Sequence, residues 1–182
     1  TWVQSVPAQF HARFSAKSRS YRYFIYNKEY SPAILNRGLT WCRHKLDIEK
    51  MQAAAQYLLG EHDFSSFRAA GCVASSPVRE VQAVRVCRAK GYVVFEITAN
   101  AFLQHMVRNI VGMLIEIGSS DLPPEYLHEI LELRDRKKSA PTARPNGLYL
   151  VDVEYASEFS LPNIERGPSF MQGALSEHES DI

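Results

Sequence analysis

The sequence predicts an α+β domain in which a mostly antiparallel sheet packs against helices. Three observations carry that expectation. Two strand-like runs, Glu80 to Ala89 and Tyr92 to Ala99, are separated only by Lys90-Gly91, a pair suited to a tight hairpin. The stretch from Ala101 to Ile117 repeats its apolar residues at helical spacing. GLYLVDVEY, Gly147 to Tyr155, then reads as a closing strand. Strands and helices in this order, joined by short antiparallel connections, make layers of sheet and helix. At 182 residues and 46% hydrophobic content, one well-cored domain is expected over 1–157. An acidic, flexible tail is expected over 158–182, where Pro162, Gly167, Pro168 and Gly173 break any pattern.

In chain order, the first strand is Ser18 to Lys28, where Tyr, Phe and Ile favour extended backbone. Asp47 caps a helix from Ile48 to Leu59 that Gly60 ends. In the second hairpin strand Val93, Phe95 and Ile97 alternate with Val94 and Glu96, so one face is buried. The long helix runs from about Ala101 to Ile117 and stops at Gly118. A third starts at Pro123-Pro124 and reaches about Arg134.

Charge is informative by its distribution, because the net value is only +1. Residues 1–28 carry Arg13, Lys17, Arg19, Arg22 and Lys28 without an acid. Residues 134–144 carry Arg134, Arg136, Lys137, Lys138 and Arg144 against Asp135 alone. Two basic patches on a nearly neutral body suit a polyanion, although a solvated charged surface accounts equally well for the second. Cys42, Cys72 and Cys87 are odd in number and lack metal-ligand spacing, which argues against disulfides and zinc and for a reducing compartment, the cytoplasm. No apolar run approaches the roughly 20 residues that cross a bilayer.

Two constellations carry chemistry. From Phe10 to Asn27 aromatic rings and cations interleave with no carboxylate, which offers RNA both charge and stacking surface; an ordinary aromatic strand is the plainer reading. On the long helix Phe102, Met106, Ile110, Met113, Leu114 and Ile117 form a core arc, while His105, Arg108, Asn109, Gly112 and Glu116 gather opposite. Gly112 keeps that side flat, so another segment can approach the backbone. Arg108, among apolar neighbours, demands an anion: an internal ion pair with Glu116, Glu96 or Asp152, a catalytic acid, or a phosphate. His105 is read as a local hydrogen-bonding residue. There is no GxxxxGK[ST] loop, GxSxG elbow, HExxH or GxGxxG, and no Ser matched to a His and Asp, so nucleotide-loop, hydrolase and metal chemistry lack support.

FHARFSAKSRSYRYFIYN, DFSSFRAAGC (Asp63 to Cys72), VREVQAV (Val78 to Val84), NAFLQHMVRNIVGMLIEIG (Asn100 to Gly118) and ARPNGLYLVDVEY (Ala143 to Tyr155) together resemble the C-terminal half of the bacterial TruA-type tRNA pseudouridine synthases. The likeness covers nearly all of Phe10 to Tyr155, with its blocks in the family's order. It implies a pseudouridine synthase core and isomerisation of uridine to pseudouridine at positions 38–40 of the tRNA anticodon stem-loop, with no cofactor, no metal and no membrane. It also implies a homodimer spanning one tRNA. In that family an Asp attacks the nucleotide, the uracil detaches and rotates, and C5 rejoins the ribose. The base-stacking Tyr matches Tyr21 and the Asp-pairing Arg matches Arg108, the two catalytic residues expected here. Arg13, Arg19 and Arg22 are expected to join Tyr21 in RNA binding. The family's GRTDAGVHA segment, which carries the Asp, has no counterpart: Asp47, Asp63, Asp121, Asp135, Asp152 and Asp181 all lie in other contexts. With Thr as its first residue, the chain is expected to be a C-terminal piece, inactive alone. The alternative is a non-catalytic RNA-binding or dimerisation module.

Overall fold

The structure is a computed structural model that describes residues 3–162 and 167–168. A six-stranded sheet forms one layer: β1 (Ala16–Asn27), β2 (Thr40–Cys42), β3 (Gly60–Asp63), β4 (Val78–Ala89), β5 (Tyr92–Ala99) and β6 (Leu148–Tyr155). The order is β2-β1-β5-β4-β3, with β6 pairing the first half of β1 antiparallel and β2 pairing its end in parallel. Every other pairing is antiparallel, so the α+β architecture holds. Helices α1 (Ile48–Gln56), α2 (Met106–Ser119) and α3 (Tyr126–Leu133) belong with the main core.

Period-two alternation decides which residues meet those helices. Tyr23 and Ile25 of β1, with Val93, Phe95, Ile97 and Ala99 of β5, join Met106, Ile110, Met113, Leu114 and Ile117 in the main core, and Tyr21 packs at its margin. The intervening residues turn the other way. Phe24 and Val94 form a small second cluster with Leu39 and Ala89, and Ser20 bonds Thr98 hydroxyl to hydroxyl at 2.8 Å.

The hairpin at Lys90-Gly91 forms as expected, both residues taking positive φ (47° and 83°). Asp47 caps α1 by accepting the Lys50 N–H at 3.0 Å. That helix ends at Gln56 rather than Leu59, because Tyr57, Leu58 and Leu59 donate to carbonyls three residues back and tighten the last turn. The larger departure is α2, which starts at Met106 and not at Ala101. His105 sits in the left-handed region (φ 62°), and 101–105 is a loop tied to the segment after the 3₁₀ turn Ser65–Phe67 through Ala69 N–H to Gln104 O, 3.0 Å. Phe102 is therefore a loop residue. Short β2 and polar β3 carry no periodicity, and they escape a reading based on it. Of the acidic tail, Phe159 is buried and stacks edge-on against Phe10 at 5.0 Å; 163–166 and 169–182 lie outside the described residues.

Buried protons give the fold an alkaline limit. Burial pushes the thiols of Cys42 and Cys87 above their ordinary 9.0, and the phenols of Tyr21, Tyr23 and Tyr149 above 10.0. The folded chain holds these protons more tightly than the unfolded one. Their contribution is thus complete below about pH 9 and is lost as pH rises through the raised values. Cys72 shifts down, chiefly because the Gln104 N–H donates to its sulfur, and works in the opposite sense. The urea midpoint is expected to fall between about pH 8.5 and about pH 10.5, and a midpoint that rose over that interval would contradict the assignment.

Candidate active site

The first half of the site stands on β1. Tyr21 is half-buried, its ring edge-on to Phe102 with centroids 5.0 Å apart. Burial raises its phenol above the usual value and the nearby Arg19 charge opposes that rise, so the hydroxyl is neutral at pH 7. Arg19 is committed to backbone: Nη1 donates to Asn100 O at 2.7 Å and to Ala16 O at 3.1 Å, and Nη2 donates to Arg13 O. It ties the turn before β1 to the loop that carries Phe102. In that turn His11 Nδ1 accepts the N–H groups of Arg13 (3.1 Å) and Phe14 (3.3 Å). Phe14 is left 78% exposed, with the Arg13 guanidinium 5.8 Å from its ring centroid.

The second half stands on α2. Arg108 is half-buried, and its Nε donates to Ala143 O at 2.8 Å while its own carbonyl accepts the Ala143 N–H at 3.1 Å. No ion pair joins it to Glu116, Glu96 or Asp152: Glu96 pairs with Arg22, and among the described residues no carboxylate lies within 4.0 Å of Arg108. The internal ion pair considered from the sequence is thereby overturned. Strand geometry is the reason, since even-numbered Glu96 faces away from the helices. The Nη groups of Arg108 have no hydrogen-bond partner among the described residues. Burial holds the Tyr23 phenol above its usual value, against the smaller opposing effects of the Thr40 hydrogen bond and the Arg108 charge, and its hydroxyl donates to Arg144 O at 2.6 Å.

These bonds belong to a strap, Ser139 to Gly147, laid along α2 and the end of β1. Gly112 is what admits it: a Cβ there would stand 2.1 Å from Pro141 O. The close approach expected at Gly112 is made by this segment. Asn109, expected on an open polar side, is instead 1% exposed; its Nδ2 donates to Phe67 O at 2.7 Å. Its Oδ1 accepts from Thr142 (2.7 Å) and from Arg136 Nη2 (3.2 Å). The signal missed in the sequence is Arg136, counted there in a surface patch. It is half-buried and bonded to the strap, whereas Arg134, Lys137, Lys138 and Arg144 are exposed.

The structure therefore brings Tyr21, Arg19 and Arg108 to the helix-bearing face. Arg13 stands in the adjacent turn. Arg22 lies across the sheet, paired with Glu96 in a polar cleft of about 330 Å³ that Ser20, Arg85 and Thr98 also line. Among the described residues no three His, Cys, Asp or Glu side chains are grouped to hold a metal ion, and no helix is long and apolar enough to cross a membrane.

A tRNA pseudouridine synthase family model matches residues 54–156, a span of more than half the chain that includes Arg108 and the strap. The chain belongs to the tRNA pseudouridine synthase family. Tyr21 lies outside that matched span. A tRNA pseudouridine synthase A of Shewanella piezotolerans is 53% identical over 170 residues, which cover 93% of this chain and 65% of that protein. A Coxiella burnetii protein of the same name is 49% identical over the same shares. The chain thus spans 65% of the length of these curated relatives. As a member of the pseudouridine synthase family it presents the sheet-and-helix core, and the strap and Arg108 lie inside the part the family shares.

Proposed function

We propose that the intact protein isomerises uridine to pseudouridine at positions 38–40 of the tRNA anticodon stem-loop, without cofactor or metal, as a cytoplasmic homodimer. The observation that carries the reading is Arg108: a half-buried guanidinium with Nε bonded to Ala143 O and no carboxylate partner among the described residues. A guanidinium so held is ready for a bidentate carboxylate. The nucleophilic Asp comes from outside these 182 residues and pairs with Arg108. Its carboxylate bonds to the nucleotide as the C1′–N1 bond breaks, the uracil rotates, C5 bonds to C1′ as the carboxylate is released, and the C5 proton leaves to solvent while N1 takes one up. Tyr21 supplies the face on which the extruded base regains stacking, with Phe102 bracing the ring from its edge. Arg13 and exposed Phe14 give the RNA a further contact beside it, and Arg19 holds that turn in place.

Tritium release from tRNA labelled at uridine C5, with the product mapped by carbodiimide-dependent primer stops, tests this. Full-length protein should release tritium and mark positions 38–40, and the 182-residue chain alone should release none. Turnover by the chain alone would place the nucleophile within it, and marks elsewhere in the tRNA would reject the anticodon assignment. In the full-length protein Tyr21→Phe keeps the ring and removes a neutral hydroxyl. We expect kcat to fall about 10²-fold with tRNA affinity retained, and a rate near wild type would exclude the hydroxyl from proton transfer.

A further inference from the structure

We infer that Arg136 is a positioning residue for Arg108, acting through the strap; the inference rests on the catalytic role proposed for Arg108. Four acceptors converge on one guanidinium. Arg136 Nη1 donates to Ser139 O (3.2 Å) and Ala140 O (3.0 Å), and Nη2 to Thr142 Oγ1 (2.9 Å) and Asn109 Oδ1 (3.2 Å). Thr142 closes the triangle by donating to Asn109. Asn109 is the residue after Arg108 on α2, and Ala143 is the residue after Thr142 on the strap. The network thus locks together the neighbours of the two residues that share the Arg108 Nε to Ala143 O bond.

That bond does more than satisfy a donor. The guanidinium is planar, so fixing the Nε–H direction fixes the plane in which both Nη groups lie. A strap displaced by about 1 Å would turn that plane away from an incoming carboxylate, an error that costs up to about 10²-fold in rate. The far side of the strap is held separately, by Tyr23 on Arg144 O, Thr40 on Asn146 O, and Phe24 N–H on Gly147 O (2.9 Å). Loss of Arg136 should therefore loosen one end and leave the rest attached.

The test uses full-length Arg136→Met and, as the milder variant that keeps side-chain shape, Thr142→Val. Expected for both is a kcat lowered about 10- to 100-fold with KM for tRNA within about twofold. In an Arg108→Lys background, single-turnover rates should change less than about threefold further, because the plane being aligned is no longer a guanidinium. An unchanged kcat in both variants overturns the inference. So does a rate loss of equal factor in the Arg108→Lys background, or a loss of tRNA affinity with a shallower salt dependence, which would make Arg136 a phosphate contact. If Arg136→Met does not fold, Thr142→Val decides alone. A fully active Arg108→Lys enzyme defeats the role of Arg108 and this inference with it. An inactive Arg108→Lys beside unaffected Arg136→Met and Thr142→Val defeats the inference only.

Discussion

Replacing Arg108 with Met in the full-length protein is expected to lower kcat by at least about 10²- to 10³-fold, the usual effect of deleting a preorganised charge from a reacting centre. tRNA affinity should stay within about threefold; removing a phosphate-binding cation, by contrast, would weaken binding and flatten the salt dependence by about 0.7 to 0.9 in log–log slope. The fold supports this separation. Arg108 is half-buried and tethered to Ala143, whereas cations such as Arg13, Arg134, Lys137, Lys138 and Arg144 are exposed. Met keeps an unbranched apolar side chain at this helix position, so the protein loses about 1–2 kcal/mol for the freed Ala143 carbonyl. Filter binding against tRNA at several salt concentrations, beside tritium release, reads both quantities. A collapse in affinity with a shallower slope would recast Arg108 as a phosphate grip.

Four of the six strands were legible in the sequence: β1 from its aromatic and branched residues, β5 from period-two alternation, β4 as its partner across the Lys90-Gly91 turn, and β6 as a closing apolar run. What escaped has physical reasons. Three residues, Thr40 to Cys42, are too few to show a period, and Gly60 to Asp63 is polar because it lies at the sheet edge. The start of α2 was misplaced because His105 adopts a left-handed conformation that no local signal announced. At the site, the sequence showed that Arg108 required an acceptor and that Gly112 invited a close approach. It did not show that one segment answers both. The strap SAPTARPNG has no periodicity of either kind, and its identity as a neighbour is a tertiary fact. For the same reason Arg136 read as one more cation in a basic run. Tyr21 and Arg22 are adjacent in sequence and lie on opposite faces of the sheet, which the alternation itself implies.

Gly112→Ala should be the most damaging conservative change in the helix. Ala is the better helix former by about 1 kcal/mol, so on an open face the substitution would stabilise. Here the added Cβ would stand 2.1 Å from Pro141 O, 3.3 Å from Pro141 C and 3.4 Å from Ala143 N, all of them backbone atoms. Backbone held by Arg136, Arg108 and Tyr23 cannot rotate aside as a side chain does, and overpacking of this kind costs about 3 kcal/mol. The net loss of about 2 kcal/mol corresponds to a melting point lower by roughly 4–8 °C in a protein of this size. Gly118→Ala is the control. Its Cβ would meet Met51 Cγ and Sδ at 2.6 and 2.7 Å, atoms of a buried side chain that can re-rotamerise where backbone cannot, and it should shift melting less than Gly112→Ala. The displaced strap carries Ala143 with it, so Gly112→Ala should also lose about 10-fold or more in kcat when assayed well below its melting point. Wild-type melting together with wild-type turnover in Gly112→Ala would mean that the strap moves freely, and the rigid path from Arg136 to Arg108 would fail with it.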